Sequence, residues 1–124
     1  MAGELVLIVD DSPVNLKLAR LLLEGEGYRV KTANDAEEAL ELLETLHPRL
    51  ILMDVQLPGM DGLELTRRIR ADLARRRIIV FAVSAYAMKG DEEKALAAGC
   101  DAYVTKPIDG DALLATMREH LVKG

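Results

Sequence analysis

Tryptophan is absent from this 124-residue sequence, and with one Phe and three Tyr the core must be packed almost wholly from aliphatic side chains. The same scarcity leaves few rings to sandwich a flavin. A single cysteine, Cys100, excludes an internal disulfide; flanked by Gly99 and Asp101, it reads as a small buried residue just ahead of a strand, which suits a reducing cytosol. No basic-then-apolar leader opens the chain. Its longest apolar run, Ile78 to Ala85 with Ser84 allowed, falls far short of the ~20 residues that span a bilayer. Basic residues are the minority, 16 against 21 acidic for a formal charge of -5, which speaks against nucleic acid as a direct partner because duplex binding takes a basic face. The expectation is a soluble cytoplasmic protein with no membrane partner.

What is present suits a globular chain: 50% of the residues are apolar and 30% charged, enough hydrophobic mass for one compact domain over residues 1–124. Five apolar runs, Leu5–Val9, Tyr28–Thr32, Leu50–Met53, Ile78–Val83 and Ala102–Thr105, alternate with amphipathic stretches. Four of them are nearly continuous, as parallel strands covered on both faces require. Tyr28–Thr32 mixes Arg29 and Lys31 with Tyr28 and Val30 and reads as an edge strand.

Helical stripes follow each run: Val14, Leu18, Leu21 and Leu22; Ala36, Ala39, Leu40 and Leu43; Leu65, Ile69 and Leu73; and, last, Leu113, Leu114, Met117 and Leu121. The fourth helix, about Lys89 to Ala98, is poorest in apolar residues, with only Ala95, Leu96 and Ala98. Ser12-Pro13 caps the first helix and Gly25 and Gly27 end it, while Asp35, Asp61 and Asp109 suit later starts. Five β-then-α units predict an α/β fold, a doubly wound (βα)5 five-stranded parallel sheet in the order 2-1-3-4-5.

Strand one ends in Asp10-Asp11, strand three in Asp54, strand four in Ser84 and strand five in Lys106-Pro107, whereas strand two ends in Ala33-Asn34 with no comparable group. In open α/β sheets a site forms beyond the carboxyl ends of the strands, near the point where the order reverses. These ends converge only under the expected topology. Singly, each has an ordinary reading: solvated or capping acids, a turn former before Leu57-Pro58-Gly59, a helix-capping serine, a Lys-Pro turn. Together they place three carboxylates close enough to repel, and a cation answers that repulsion. Mg²⁺ suits a site with few carboxylates and several waters. Two acids to hold a metal, a third as nucleophile, and a lysine and hydroxyl to grip oxygens suit phosphoryl transfer.

The segments Leu7-Ile8-Val9-Asp10-Asp11-Ser12, Asp54-Val55-Gln56-Leu57-Pro58-Gly59-Met60-Asp61-Gly62, Val83-Ser84-Ala85 and Tyr103-Val104-Thr105-Lys106-Pro107 resemble the receiver domain of bacterial response regulators. The resemblance runs from about residue 4 to the end. Ala85-Tyr86-Ala87-Met88-Lys89-Gly90-Asp91 is similar to single-domain receivers of cell-cycle regulators and to those of hybrid kinases. The resemblance implies a flavodoxin-like receiver fold in a two-component phosphorelay. It implies that Asp54 takes a phosphoryl group from the phosphohistidine of a sensor histidine kinase or histidine phosphotransfer protein. Asp11, Asp54 and the backbone carbonyl of Gln56 would bind Mg²⁺ directly and Asp10 mainly through water. Lys106 would pair with the phosphoryl group, the Ser84 hydroxyl would move to it, and Tyr103 would turn inward. That motion would couple the site to the face of helix four, strand five and helix five and switch it for binding a downstream target. The Lys106–Pro107 peptide is expected to be cis, and bulky Tyr86 to hinder the attacking water. The chain would be a switch and not an enzyme.

Three rival readings compete with this one. An Mg²⁺-dependent aspartyl-phosphate phosphatase would carry Asp-x-Asp, but position 56 is Gln. A flavin carrier would want a phosphate-binding loop where Asp10-Asp11 repels phosphate. A DNA-binding regulator is suggested by Arg67, Arg68, Arg70 and Arg75-Arg76-Arg77, yet arginines late in a helix also suit its negative end. With the chain stopping after helix five, no output domain is expected. His47 and His120 lie away from the expected site.

Overall fold

The computed structural model describes residues 3–85 and 88–123. Its elements run β1 (Leu5–Val9), α1 (Pro13–Gly25), β2 (Arg29–Ala33), α2 (Ala36–Leu43), β3 (Leu50–Asp54), α3 (Gly62–Ala71), β4 (Ile79–Ser84), α4 (Asp91–Ala98), β5 (Ala102–Thr105) and α5 (Gly110–Lys123). The strands form one parallel sheet in the order β2-β1-β3-β4-β5. The order reverses beside β1, so the carboxyl ends of β1 and β3 flank the crevice.

The pleat splits the core into two layers. Val6, Ile8, Leu50, Leu52, Phe81 and Val83 pack with α1 and α5 on one face. Leu7, Val9, Ile51, Met53, Val80 and Ala82 pack with α2, α3 and α4 on the other. Every residue of β3 and β4 is buried, which is why those strands read as unbroken apolar runs. At the β2 edge Arg29 and Lys31 are exposed and Val30 is buried, the alternation of a strand covered on one side.

The caps follow local chemistry. Ser12, Asp35 and Asp61 accept the backbone N–H three residues on, opening α1, α2 and α3. Asp109 does the same for Ala112 at the start of α5. Helix α4 starts at Asp91 and not Lys89, behind Gly90 in the left-handed region (φ 92°), with no side-chain cap.

Two helical stripes differ from expectation. In α1 the buried residues are Leu16, Ala19 and Leu23, while Val14, Leu18 and Leu21 are 65%, 62% and 58% exposed. Both flanks of this helix are apolar, and the sheet selects the one carrying small Ala19. Leu73 is also exposed, because α3 stops at Ala71 and the chain turns at Asp72, whose Oδ1 accepts the Ala74 N–H (2.9 Å). Tyr28 is buried but precedes β2, and Ile78 lies just outside β4.

Candidate functional site

Strand alternation sorts the candidate side chains. Ile8 and Leu52 face α1 and α5, so two residues on Asp10 and Asp54 lean to that side; Val83 does too, which turns Ser84 to the opposite face. Asp10, Asp54 and Lys106 accordingly line one cleft of about 670 Å³, walled by Leu18, Leu22 and Ile108. Ser84 and Tyr103 line a second cavity of about 100 Å³ with Gln56, Lys94 and Ala95. The expected cluster is therefore divided by the sheet, with acids and lysine on one side and hydroxyl and aromatic on the other.

Within the first cleft, Asp10 and Asp54 are each 6% exposed. The Lys106 ammonium donates to Asp10 Oδ2 and to Asp54 Oδ2, both at 3.2 Å. The remaining oxygens take backbone donors: Ser12 N–H to Asp10 Oδ1 and Gln56 N–H to Asp54 Oδ1, each 2.9 Å. Burial raises the Asp54 carboxyl above its ordinary 3.8, against the Gln56 N–H and the Lys106 ammonium, which both favour the carboxylate. For Lys106, burial favours the neutral amine, but the bonds and charges of Asp54 and Asp10 outweigh it and hold the amine above its ordinary 10.5.

Asp11 is exposed, yet Asp10, Asp11 and Asp54 each offer an oxygen within 4.8 Å of the other two. Three carboxylates against one ammonium leave two negative charges uncompensated. That all-oxygen set fits a hard divalent cation, Mg²⁺ in particular, and fits soft metals poorly. At the far edge of the cluster the Lys106–Pro107 peptide is cis, and Lys106 N–H donates to Ser84 O (2.8 Å). Tyr86 lies outside the described residues.

The sequence reading missed the cleft wall. Asn15, Leu18 and Leu22 line it from α1, and their spacing from the Ser12 cap puts them on one helical face, which is the signal that was available. Of the arginines, Arg67 and Arg68 pair with Glu64, Arg75 with Asp72, and Arg70 binds Asp101 and three backbone carbonyls, whereas Arg76 and Arg77 are exposed. His120 stacks edge-on against Phe81 (5.1 Å) and bonds Thr116 O, away from the cleft. Cys100 is buried. Among the described residues no helix is long and apolar enough to cross a membrane.

The response regulator receiver domain family matches residues 6–118. The polar-differentiation response regulator DivK of Brucella ovis is 46% identical over 116 residues, covering 94% of each chain. Among solved structures, a CheY-like response regulator receiver domain protein from Methanospirillum hungatei superimposes with a TM-score of 0.90 at 34% identity, covering 98% of this chain and 96% of that one. The receiver domain of sensor histidine kinase PA1611 from Pseudomonas aeruginosa, which has a magnesium ion coordinated in its active site cleft, gives 0.89 at 37% identity, covering 97% and 98%.

Proposed function

The chain belongs to the response regulator receiver domain family, and from that premise we propose that it is a phosphorylation-dependent switch of a two-component system whose acceptor is Asp54. The observation that carries this is the Asp10–Asp11–Asp54 cluster with Lys106 bridging two of its members at the carboxyl edge of the sheet. Asp54 Oδ attacks the phosphorus of a phosphohistidine on a sensor kinase or phosphotransfer protein. The new O–P bond forms as the N–P bond breaks, and the imidazole leaves with the electron pair. Asp54 must be ionised to attack, and the Gln56 N–H and Lys106 oppose the burial that would protonate it.

Asp11, Asp54 and the Gln56 carbonyl would hold Mg²⁺, with Asp10 acting mainly through water; the bound ion supplies charge neutralisation for the phosphoryl oxygens. The Lys106 ammonium sits 3.2 Å from the acceptor oxygen and is placed to follow the charge onto the phosphoryl group. The exposed Val14–Leu18–Leu21 stripe runs into the cleft wall through Leu18 and Leu22, so an apolar helical surface on the donor can dock there. Ser84 moves toward the phosphoryl group, Tyr103 follows into the cavity both line, and the α4–β5–α5 face changes for a target protein. Helix α4 suits this role because it buries only Ala95 and Ala98 and lacks an N-terminal side-chain cap.

The test is intact-mass measurement after incubation with acetyl phosphate and Mg²⁺. Wild type gains one phosphoryl group and Asp54→Asn none. An unmodified wild type, or equal modification of the variant, overturns the proposal.

A further inference from the structure

Gly62 opens α3 and is buried against the end of β3. A Cβ built on it would lie 2.5 Å from the Asp54 carbonyl oxygen, 2.9 Å from Met53 Cε and 3.0 Å from Val55 Cα. The methionine tip can swing away, but the other two atoms are backbone of the acceptor strand and the residue after it. No side chain fits unless α3 or the acceptor strand shifts. Gly62 is not in the left-handed region, so close approach and not backbone freedom is what requires glycine here.

That approach closes a loop. Gly62 N–H donates to Val55 O (3.0 Å), and Val55 N–H donates to Val83 O (2.9 Å), so the segment after Asp54 is held from both sides. Thr66, fully buried, donates its hydroxyl to Gly62 O (2.9 Å), and Asp61 caps the helix through Glu64 N–H (2.9 Å). The first turn of α3 thus rests on the peptides of Asp54 and Val55. The next residue is Gln56, whose N–H binds Asp54 Oδ1.

We infer that Gly62 is a positioning residue for the acceptor site: its missing side chain lets α3 hold the Asp54–Val55–Gln56 backbone where the carboxylate and the Gln56 carbonyl serve one Mg²⁺. The inference rests on the function proposed above. It gives α3 a part in the chemistry without contact with any reacting atom. Gly62→Ala pushes the Asp54–Val55 peptide off its seat, loosening the Gly62–Val55 and Gln56–Asp54 bonds before any ligand arrives.

The experiment compares Gly62→Ala with wild type and with Leu121→Ala, a core truncation in the last turns of α5 that lowers stability without touching the site. Mg²⁺ affinity is read by calorimetric titration, and amide exchange at positions 56 and 62 is read in EDTA. Gly62→Ala is expected to bind Mg²⁺ roughly tenfold more weakly, the usual scale for losing support behind a metal ligand, and to exchange faster at both amides. Leu121→Ala is expected to bind Mg²⁺ like wild type despite its lower melting temperature. Wild-type Mg²⁺ affinity in Gly62→Ala, or equal weakening in Leu121→Ala, overturns the inference. Should Gly62→Ala fail to fold, Asp61→Ala decides. It frees the first turn of α3 while leaving the core intact, and several-fold weaker Mg²⁺ binding supports the inference where wild-type binding overturns it. A wild type that binds Mg²⁺ but takes no phosphoryl group from acetyl phosphate defeats the functional reading, not this one. A wild type phosphorylated on Asp54 beside a Gly62→Ala of unchanged Mg²⁺ affinity defeats this inference alone.

Discussion

Arg70 is the side chain whose loss should cost this fold most for its exposure. From the end of α3 its guanidinium donates to Gly99 O (2.9 Å), Arg76 O (3.0 Å), Ile78 O (2.6 Å) and Asp101 Oδ2 (2.8 Å). Asp101 in turn accepts from Val80 N–H, so one side chain ties α3, the α3–β4 loop, β4 and the α4–β5 turn together. Arg70→Met keeps the aliphatic stem and removes the fork. Water replaces it readily at Arg76 O and at the part-exposed Asp101, so those two bonds are discounted. Gly99 O and Ile78 O are part-buried acceptors, and leaving them unmet costs about 1–1.5 kcal/mol each, or about 2–3 kcal/mol together. At this chain length that lowers the melting temperature by roughly 10 °C. With no tryptophan to report, far-UV circular dichroism in urea and on heating, in EDTA, is the assay. Arg67→Met, which breaks only an exposed pair with Glu64, is the control and should stay within about 0.5 kcal/mol of wild type. Arg70→Lys should recover only part of the loss, since one ammonium cannot serve a planar fork's acceptors. An Arg70→Met protein as stable as Arg67→Met would refute the reasoning.

Two further outcomes follow from the buried titratable groups. Burial holds the folded Asp54 carboxyl above its ordinary 3.8, so the folded chain keeps a proton that the unfolded chain has lost, and Asp54 weakens the metal-free fold as pH rises from 3.8 through the raised value. Asp54→Asn should therefore gain in melting temperature over wild type across that interval in EDTA, and a difference flat with pH would contradict the sign. Burial likewise raises the Cys100 thiol, with Thr66 and Arg70 opposing it, so Ellman's reagent at pH 8 should label native protein far more slowly than urea-unfolded protein; equal rates would show the side chain open to solvent.

Legibility in the sequence tracked how strongly each element's surroundings restrict its residues. β3 and β4 are sealed on both faces, so nothing polar enters until the last residue of each, and Asp54 and Ser84 stand out. β1, buried from Val6 on, was placed to the residue for the same reason; β5 was too, although it is an edge strand with no buried residue, and the mixed Arg29–Ala33 strand fell at the other edge. α1 was not legible. Its polar stripe of Lys17, Arg20 and Glu24 divides two apolar flanks, one with Leu16, Ala19 and Leu23 and one with Val14, Leu18 and Leu21. Periodicity favours neither flank; only the sheet's shape decides between them. Arg70 read only as one of a group of arginines, because three of its four acceptors are backbone carbonyls, which residue types do not reveal. Gly62 closes the receiver-like segment that begins at Asp54, but the role inferred for it depends on a distance to Asp54 O that no pattern encodes.

The division of the site by the sheet constrains how the proposed switch can work. Asp54 and Lys106 face α1 and α5, whereas Ser84 and Tyr103 face the cavity beside α4. A charge gained on Asp54 must therefore be felt around the carboxyl edge of β4 and β5, where Lys106 N–H already binds Ser84 O. Helix α4 receives that signal with unequal restraint at its two ends. At its C-terminus Gly99 O is held by Arg70, and Cys100 N–H and Gly99 N–H close the turn onto Ala95 O and Leu96 O. At its N-terminus Gly90 offers no side-chain cap, and among the described residues Asp91 meets the exposed Met88 alone, its Oδ2 accepting from Met88 N–H (3.2 Å) and its N–H donating to Met88 O (3.1 Å). In the proposed switch, displacement of α4 would therefore cost least at the Gly90 end and most at Gly99, so the helix would tilt about its C-terminus instead of translating.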